Sequence, residues 1–484
     1  MLFTDSRFLL FFLPALLAAY YCAVWVTPRD VSTGRRNAGR SNWLLAMASV
    51  AFFSTGTGTL VALVFAVVVF NYVAALGIDR AQRSEAGAIP EAILTLAVTG
   101  NVVLLGTVKY AFPAVLGAGV TDQTSSLAFA APQLLIPIGF VFVTCHAVSY
   151  LVDVYQRCAA PYRDPLTAAL YLVFFPTVVA GPILRHRDVG DQFLDRRVGM
   201  AAFSYGVRRF AVGLGKTFLI AQTLAGPADR IFALPADQLD SSQAWLGAVC
   251  FSLQIYFNFS GYSDMAIGLG RILGFRLPEN FKWPYAAHTL HEFWRRWNIS
   301  LMGWLRTYVG LPLDSQVAGL AALSARLMTL FVLIGVWHGP GWNVIRWGLF
   351  HGVLVTVERL GVAALIGRLP VWMRHVYLLL VVVVGWVIFR ADTMSGGVQF
   401  VRALVGLHAG DTQLTPLALT SVEWVALAAG VVGAVPLLPW LSRWVVTVDA
   451  MATSALMLVS TTVVFTWRTG SRAFGALARL IRGH

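Results

Sequence analysis

Apolar residues run through this chain in blocks far longer than a buried strand needs. They cover approximately residues 8–27, 42–54, 58–77, 91–116, 132–152, 166–184, 206–229, 244–270, 319–338, 342–365, 376–390, 418–441 and 450–467. The runs are continuous rather than alternating, which points away from a β-barrel. In lipid every backbone polar group must bond within its own segment, so such runs predict helices. About 20 apolar residues span a bilayer, and several runs fall short of that. The pattern therefore predicts an all-α polytopic membrane protein, with about eleven transmembrane helices plus re-entrant and interfacial ones. Residues 1–484 read as a single integral membrane domain, with no internal repeat or low-complexity tail.

Charge orients the runs. The loop at 28–41 carries Arg29, Arg35, Arg36 and Arg40 and no lysine, so it is expected in the cytoplasm and the N-terminus in the periplasm. No small-residue cleavage site follows the first run, which reads as a retained helix rather than a signal peptide. Arg80 and Arg83 fit a second cytoplasmic loop, and 118–130, without Lys or Arg, fits the outside. The run 166–184 has Arg157 and Arg163 before it and Arg185, Arg187, Arg196 and Arg197 after it. Both flanks ask for the cytoplasm. A re-entrant hairpin meets that demand, with breaks at Phe174-Phe175-Pro176 and Ala180-Gly181-Pro182. Irregular backbone at membrane depth needs protein or a water-filled cavity around it, so 174–185 is a candidate cavity wall. Residues 271–314 then fall on the cytoplasmic side, in accord with Arg271, Arg276, Lys282, Arg295, Arg296 and Arg306.

Composition agrees: 58% of residues are hydrophobic and 12% charged, against about 25% charged in soluble domains. The net charge of +13 reads as topology-setting arginines that meet membrane lipids rather than nucleic acid. Cys22, Cys145, Cys158 and Cys250 lack metal-ligand or redox spacing and read as small core residues. His288 and His291 stand three apart, but HTLHE is not the zincin order HExxH and no third ligand is evident, so no metal site is expected. Walker, dinucleotide and GxSxG motifs are absent.

The unusual chemistry lies in a polar insert and one histidine. Residues 289–308 read as one amphipathic helix: Phe293, Trp294, Trp297, Leu301, Trp304, Leu305 and Tyr308 share a stripe about 120° wide. Such a helix rests at the interface, its aromatic face in the bilayer or against the bundle. Asn298 edges the stripe and can face the interior. His338 ends an apolar run at a Gly339-Pro340-Gly341 break. A lone histidine on an apolar face is ordinarily a packing residue. Here the break opens space, and imidazole suits proton abstraction from a hydroxyl near neutral pH. His351 lies about 20 Å further along if the helix is continuous, too far to serve the same reacting atom, and reads as a residue that supports the site from behind or is structural.

These segments together resemble the membrane-bound O-acyltransferase family, in particular the bacterial branch of alginate O-acetylases and D-alanyl transfer proteins of teichoic acids. The resemblance rests on PIGFVFVTCHAVSYLVDVY (137–155), FFPTVVAGPILR (174–185), FNFSGYSDMAIGLGRILGFRLPENFKWPY (257–285), EFWRRWNISLMGWLR (292–306), GVWHGPGWNVIRWGLFHG (335–352) and GWVIFRADT (385–393). It implies a helical bundle around a central tunnel with the family histidine, His338 here, at its centre. The bacterial branch carries a second histidine in the pattern RRWHIS. This chain has Arg296-Trp297-Asn298-Ile299-Ser300, similar to the asparagine of eukaryotic branches. The C-terminal stretch 463–475 also departs from the branch pattern.

The resemblance implies acyl transfer from a thioester to a hydroxyl, with His338 and Asn298 as the catalytic pair. Trp297, Arg295, Arg296, Trp337, Ser260 and Asp264 form the expected substrate-binding set. No tightly bound cofactor is expected. The expected donor is acetyl-CoA or an acyl-carrier thioester, whose phosphates the basic insert would attract. The expected acceptor is an exported polysaccharide, the partners a periplasmic acyltransferase and the polysaccharide export machinery, and the location the bacterial inner membrane. D-alanyl or longer acyl transfer to a cell-wall polymer or lipid is the nearest alternative. A transporter, with Asp153 and Asp264 as its membrane carboxylates, and a non-enzymatic scaffold are the rivals from other classes.

Overall fold

The apolar runs fold as helices in a computed structural model that describes residues 2–26, 39–57, 61–111, 132–235, 238–310, 319–339, 341–407 and 419–437. α1 (Phe8–Val26), α2 (Gly39–Thr57), α3 (Val61–Arg83) and α4 (Ile89–Tyr110) lead to α5 (Pro132–Tyr155) and a short α6 (Pro165–Leu172). α7 (Met200–Gly215), α8 (Gln222–Phe232) and α9 (Ser241–Ile272) come next. The polar insert gives α10 (Leu290–Arg296) and α11 (Ile299–Tyr308). Then follow α12 (Leu320–His338), α13 (Trp342–Gly367), α14 (Val371–Arg390), α15 (Met394–Leu404) and α16 (Ser421–Gly433). The run 450–467, the stretch 463–475, the loop 118–130, Pro340 and most of the loop 28–41 lie outside the described residues.

Among the described residues six helices are long and apolar enough to cross a membrane: α1, α3, α4, α12, α13 and α14. The expected count of about eleven also drew on runs that fold as α2, α5, α9 and α16, which fall short of that measure, and on 450–467. α9 is the long axis of the bundle. A capping box at Asp240 and Gln243 starts it, and its 32 residues are buried along most of their length. It packs on α7 backbone to backbone: a Cβ on Gly206 would sit 2.6 Å from the Gly268 carbonyl oxygen, and one on Gly268 would sit 2.7 Å from that of Gly206. Small residues allow such close approach where apolar burial alone does not draw helices together.

The arginine-flanked run turns back inside the protein. α6 has eight residues, about 12 Å of rise, and stops before Phe174. Residues 173–184 are irregular and buried throughout. One imidazole closes the hairpin: His146 Nε2 accepts from Leu184 N at 3.3 Å, and Nδ1 lies 3.2 Å from the Leu172 carbonyl. Because Nε2 accepts, Nδ1 carries the proton and donates. Ser49 Oγ accepts from Phe175 N, and Ser300 Oγ from Ile183 N. Those bonds meet the needs of backbone that no regular helix satisfies.

Candidate active site

α12 ends at His338 because Gly339, with extended backbone, cannot continue it. The end is held from another helix. Lys109 Nζ donates to the Trp337 carbonyl, and Tyr110 OH donates to the Val336 carbonyl. The last carbonyls of a helix lack intrahelical donors, and these two side chains supply them. α13 then packs closely along α12, since a Cβ on Gly348 would fall 2.4 Å from the Phe331 carbonyl oxygen and one on Gly335 would fall 2.6 Å from that of Val344. His338 as a whole residue is mostly covered, though less completely than His351. Three aromatic rings meet it nearly at right angles: Trp337 at 4.8 Å, Trp347 at 5.3 Å and Phe389 at 5.5 Å. Among the described residues no hydrogen-bond partner holds the imidazole. It is walled, oriented and uncommitted.

The break changes the place of His351. The expectation of about 20 Å held for a continuous helix, and the chain instead folds back at Gly339–Gly341. His351 lies 5.3 Å from Trp347, the same indole that His338 touches. It is buried, with Nδ1 unbonded. Its ring fits only because residue 385 is glycine: a Cβ there would lie 2.5 Å from Nε2.

The insert is not one helix. α10 stops at Arg296, Trp297 is extended, and Asn298 adopts left-handed backbone at φ 45° before α11 starts. Asparagine tolerates that region better than most residues. The neighbouring strand of chain satisfies the break: Lys282 N donates to Arg296 O at 3.0 Å and Ile299 N to Asn280 O at 2.9 Å. Asn280 Oδ1 accepts from both the backbone and the hydroxyl of Ser300. The aromatic stripe survives in pieces. Phe293, Trp294, Trp297, Leu301 and Leu305 are buried, so the face packs into the bundle rather than into lipid.

Asn298 stands at the N-cap position yet makes no side-chain cap bond, and it is buried. A relay of rings joins this break to the histidine. Trp297 meets Trp386 at 4.8 Å, Trp386 stacks on Trp347 at 5.7 Å, and Trp347 meets His338. The other expected contacts divide. Trp337 flanks His338. Arg296 is tied to Glu292 at 2.5 Å, while Arg295 is exposed. Asp264 is committed to Arg209 and Lys216, each at 2.7 Å. Ser260 is buried with its hydroxyl unbonded, and no described contact joins Ser260 or Asp264 to His338. The buried Asp153 is bound by Arg187 and by the Tyr308 hydroxyl.

Sequence reasoning missed Lys109, Trp347 and Trp386. A single ammonium inside the apolar run 91–116 was the available signal for the first. The indoles carried none, because tryptophan is common in such a chain. Among the described residues no three of His, Cys, Asp and Glu converge as metal ligands. His288 instead lines, with His375 and Trp372, an open cavity of about 520 Å³.

Comparison with known proteins gives a consistent answer. The model of the membrane-bound O-acyltransferase family matches residues 121–391. The chain is 37% identical to a probable alginate O-acetylase of Pseudomonas syringae pv. tomato over 436 residues, 89% of this chain and 80% of that protein. It is 30% identical to the peptidoglycan O-acetyltransferase of Helicobacter pylori over 438 residues, 84% of this chain and 80% of that one. A teichoic acid D-alanyltransferase of Bacillus subtilis is 30% identical over 239 residues, 46% of this chain and 59% of that protein.

Proposed function

Because the chain belongs to the membrane-bound O-acyltransferase family, we propose that it moves acetyl groups from a cytoplasmic thioester to hydroxyls of an exported, alginate-like polysaccharide, with His338 as the base. The observation that carries this reading is the imidazole at the α12–α13 break, oriented by three aromatic rings and without a hydrogen-bond partner among the described residues. In the reaction the acceptor oxygen attacks the thioester carbonyl carbon while His338 takes the hydroxyl proton. The carbonyl electron pair moves to oxygen. On collapse the C–S bond breaks, and the leaving thiolate takes the proton from the imidazolium. Asn298 supplies a carboxamide that orients a substrate or donates to the carbonyl, and the aromatic wall excludes competing water.

Acetyl-CoA or an acyl-carrier thioester is the donor, and the exposed Arg295 in the cytoplasmic insert draws its phosphates. The acceptor arrives from the periplasmic face, directly or through a periplasmic acyltransferase within a polysaccharide export machine in the inner membrane. Acetyl is favoured over D-alanyl because the acetyl-transferring relatives align over most of the chain and the D-alanyl relative over less than half. The test is a gene deletion complemented with wild type or with His338→Ala, read as O-acetyl content of the exported glycan. Wild type restores acetyl and His338→Ala does not. Restoration by both at equal protein levels would refute the assignment.

A further inference from the structure

Lys109 lies near the end of α4, inside an apolar run, and is 8% exposed. Its ammonium donates to the carbonyl of Trp337, the peptide that leads into His338. Among the described residues no carboxylate pairs with it. The Cys145 thiol and the His338 ring lie close enough to interact with its charge. A buried cation without an anion is costly, and in a membrane protein such a group is kept for function. Capping the helix does not require the charge. Tyr110, the next residue, caps the adjacent carbonyl with a neutral hydroxyl. The negative end of the α12 dipole offsets part of the cost. An ammonium has three N–H donors, of which Trp337 takes one.

We propose that Lys109 is a second catalytic residue, donating from its ammonium to the acyl carbonyl oxygen as negative charge collects there. The inference rests on the acyl-transfer reading above. As the acceptor oxygen bonds to the carbonyl carbon, His338 holds the proton and the displaced electron pair sits on the carbonyl oxygen. A Lys109 N–H meets that oxygen. When the C–S bond breaks, the pair returns to re-form the carbonyl, the thiolate takes the proton from His338, and Lys109 keeps all of its own protons. A fixed cation in a dry site stabilises such an oxyanion far more than water does.

The experiment uses membranes that contain the full chain and its glycan acceptor, and follows thiol release from acetyl-CoA per folded molecule. Lys109→Gln keeps a donor for the Trp337 carbonyl and removes the charge. It is expected to lower kcat about 100-fold with KM for acetyl-CoA unchanged, and Lys109→Arg is expected to recover part of the loss. A purely structural cap predicts the opposite: lower thermal stability, with wild-type kcat in the molecules that fold. That outcome overturns the proposal. Lys109→Met is the second variant should the glutamine protein not accumulate, and it is read in the same way. His338→Ala separates the two claims. If it retains turnover, the acyl-transfer reading fails. If it is inactive while Lys109→Gln turns over normally, only the role of Lys109 fails.

Discussion

Asp264 on α9 and His338 at the end of α12 are both polar groups set in apolar surroundings, and the bundle treats them oppositely. Asp264 meets Arg209 and Lys216 at 2.7 Å, and Arg209 goes on to Glu279 at 2.6 Å. Every charge there has a partner. His338 sits where a helix breaks, ringed by Trp337, Trp347 and Phe389, with no described partner on its nitrogens. A fully paired ionic group is spent on holding the structure. An oriented but unpaired base keeps its bonding capacity for a substrate. The transporter reading weakens on the same ground, since its two carboxylates, Asp153 and Asp264, are both tied into ion pairs.

The sharpest way to break this comparison is Asp264→Ala. It strands Lys216 and leaves Arg209 with Glu279 alone, and breaking a buried pair costs about 3–5 kcal/mol. The expected result is a large fall in the melting temperature of the purified protein and in its level in the membrane. A variant that folds normally and loses only turnover would move Asp264 into the chemistry. Gly348→Ala comes next. The added methyl meets the Phe331 carbonyl, and overpacking costs about 1–3 kcal/mol. Melting temperature should drop, and turnover should drop with it as Trp347 shifts against His338.

Asn298→Ala tests the second break. It removes one donor from the proposed site, so turnover per folded molecule should fall about tenfold, with a stability loss of about 1 kcal/mol from alanine in left-handed backbone, and Asn298→His should retain more activity than alanine. Equal activity of Asn298→Ala and wild type would leave the residue as a backbone device only. The smallest effect is expected at Glu292. Burial raises its pKa, but the His288 N–H and Arg296 outweigh burial and hold it below the usual carboxylate value. A lowered folded pKa means stability that is present above the unfolded value and lost as pH falls through the folded one. The melting-temperature gap between wild type and Glu292→Gln should therefore narrow between about pH 6 and pH 3.

Hydrophobic run length made the helices legible, and arginine placement made the re-entrant turn legible, because those signals are local or set by the bilayer. The break after His338 was legible for the same reason: Gly339 and Gly341 announce it. The break at Asn298 was not. The sequence 289–308 keeps helical periodicity through it, and the backbone bonds that hold the break, Ile299 N to Asn280 O and Lys282 N to Arg296 O, come from a separate stretch of chain. His351 was placed too far from His338 because folding back along Gly335 and Gly348 is a tertiary event. Lys109 belongs to a helix more than two hundred residues away from its partner carbonyl, and no spacing rule joins them.

The most direct measurement is thiol release from acetyl-CoA by the full-length protein in membranes with its acceptor, wild type against His338→Ala, normalised to folded protein. The account predicts a loss of about 1,000-fold at unchanged melting temperature. Turnover within a few-fold of wild type would contradict it.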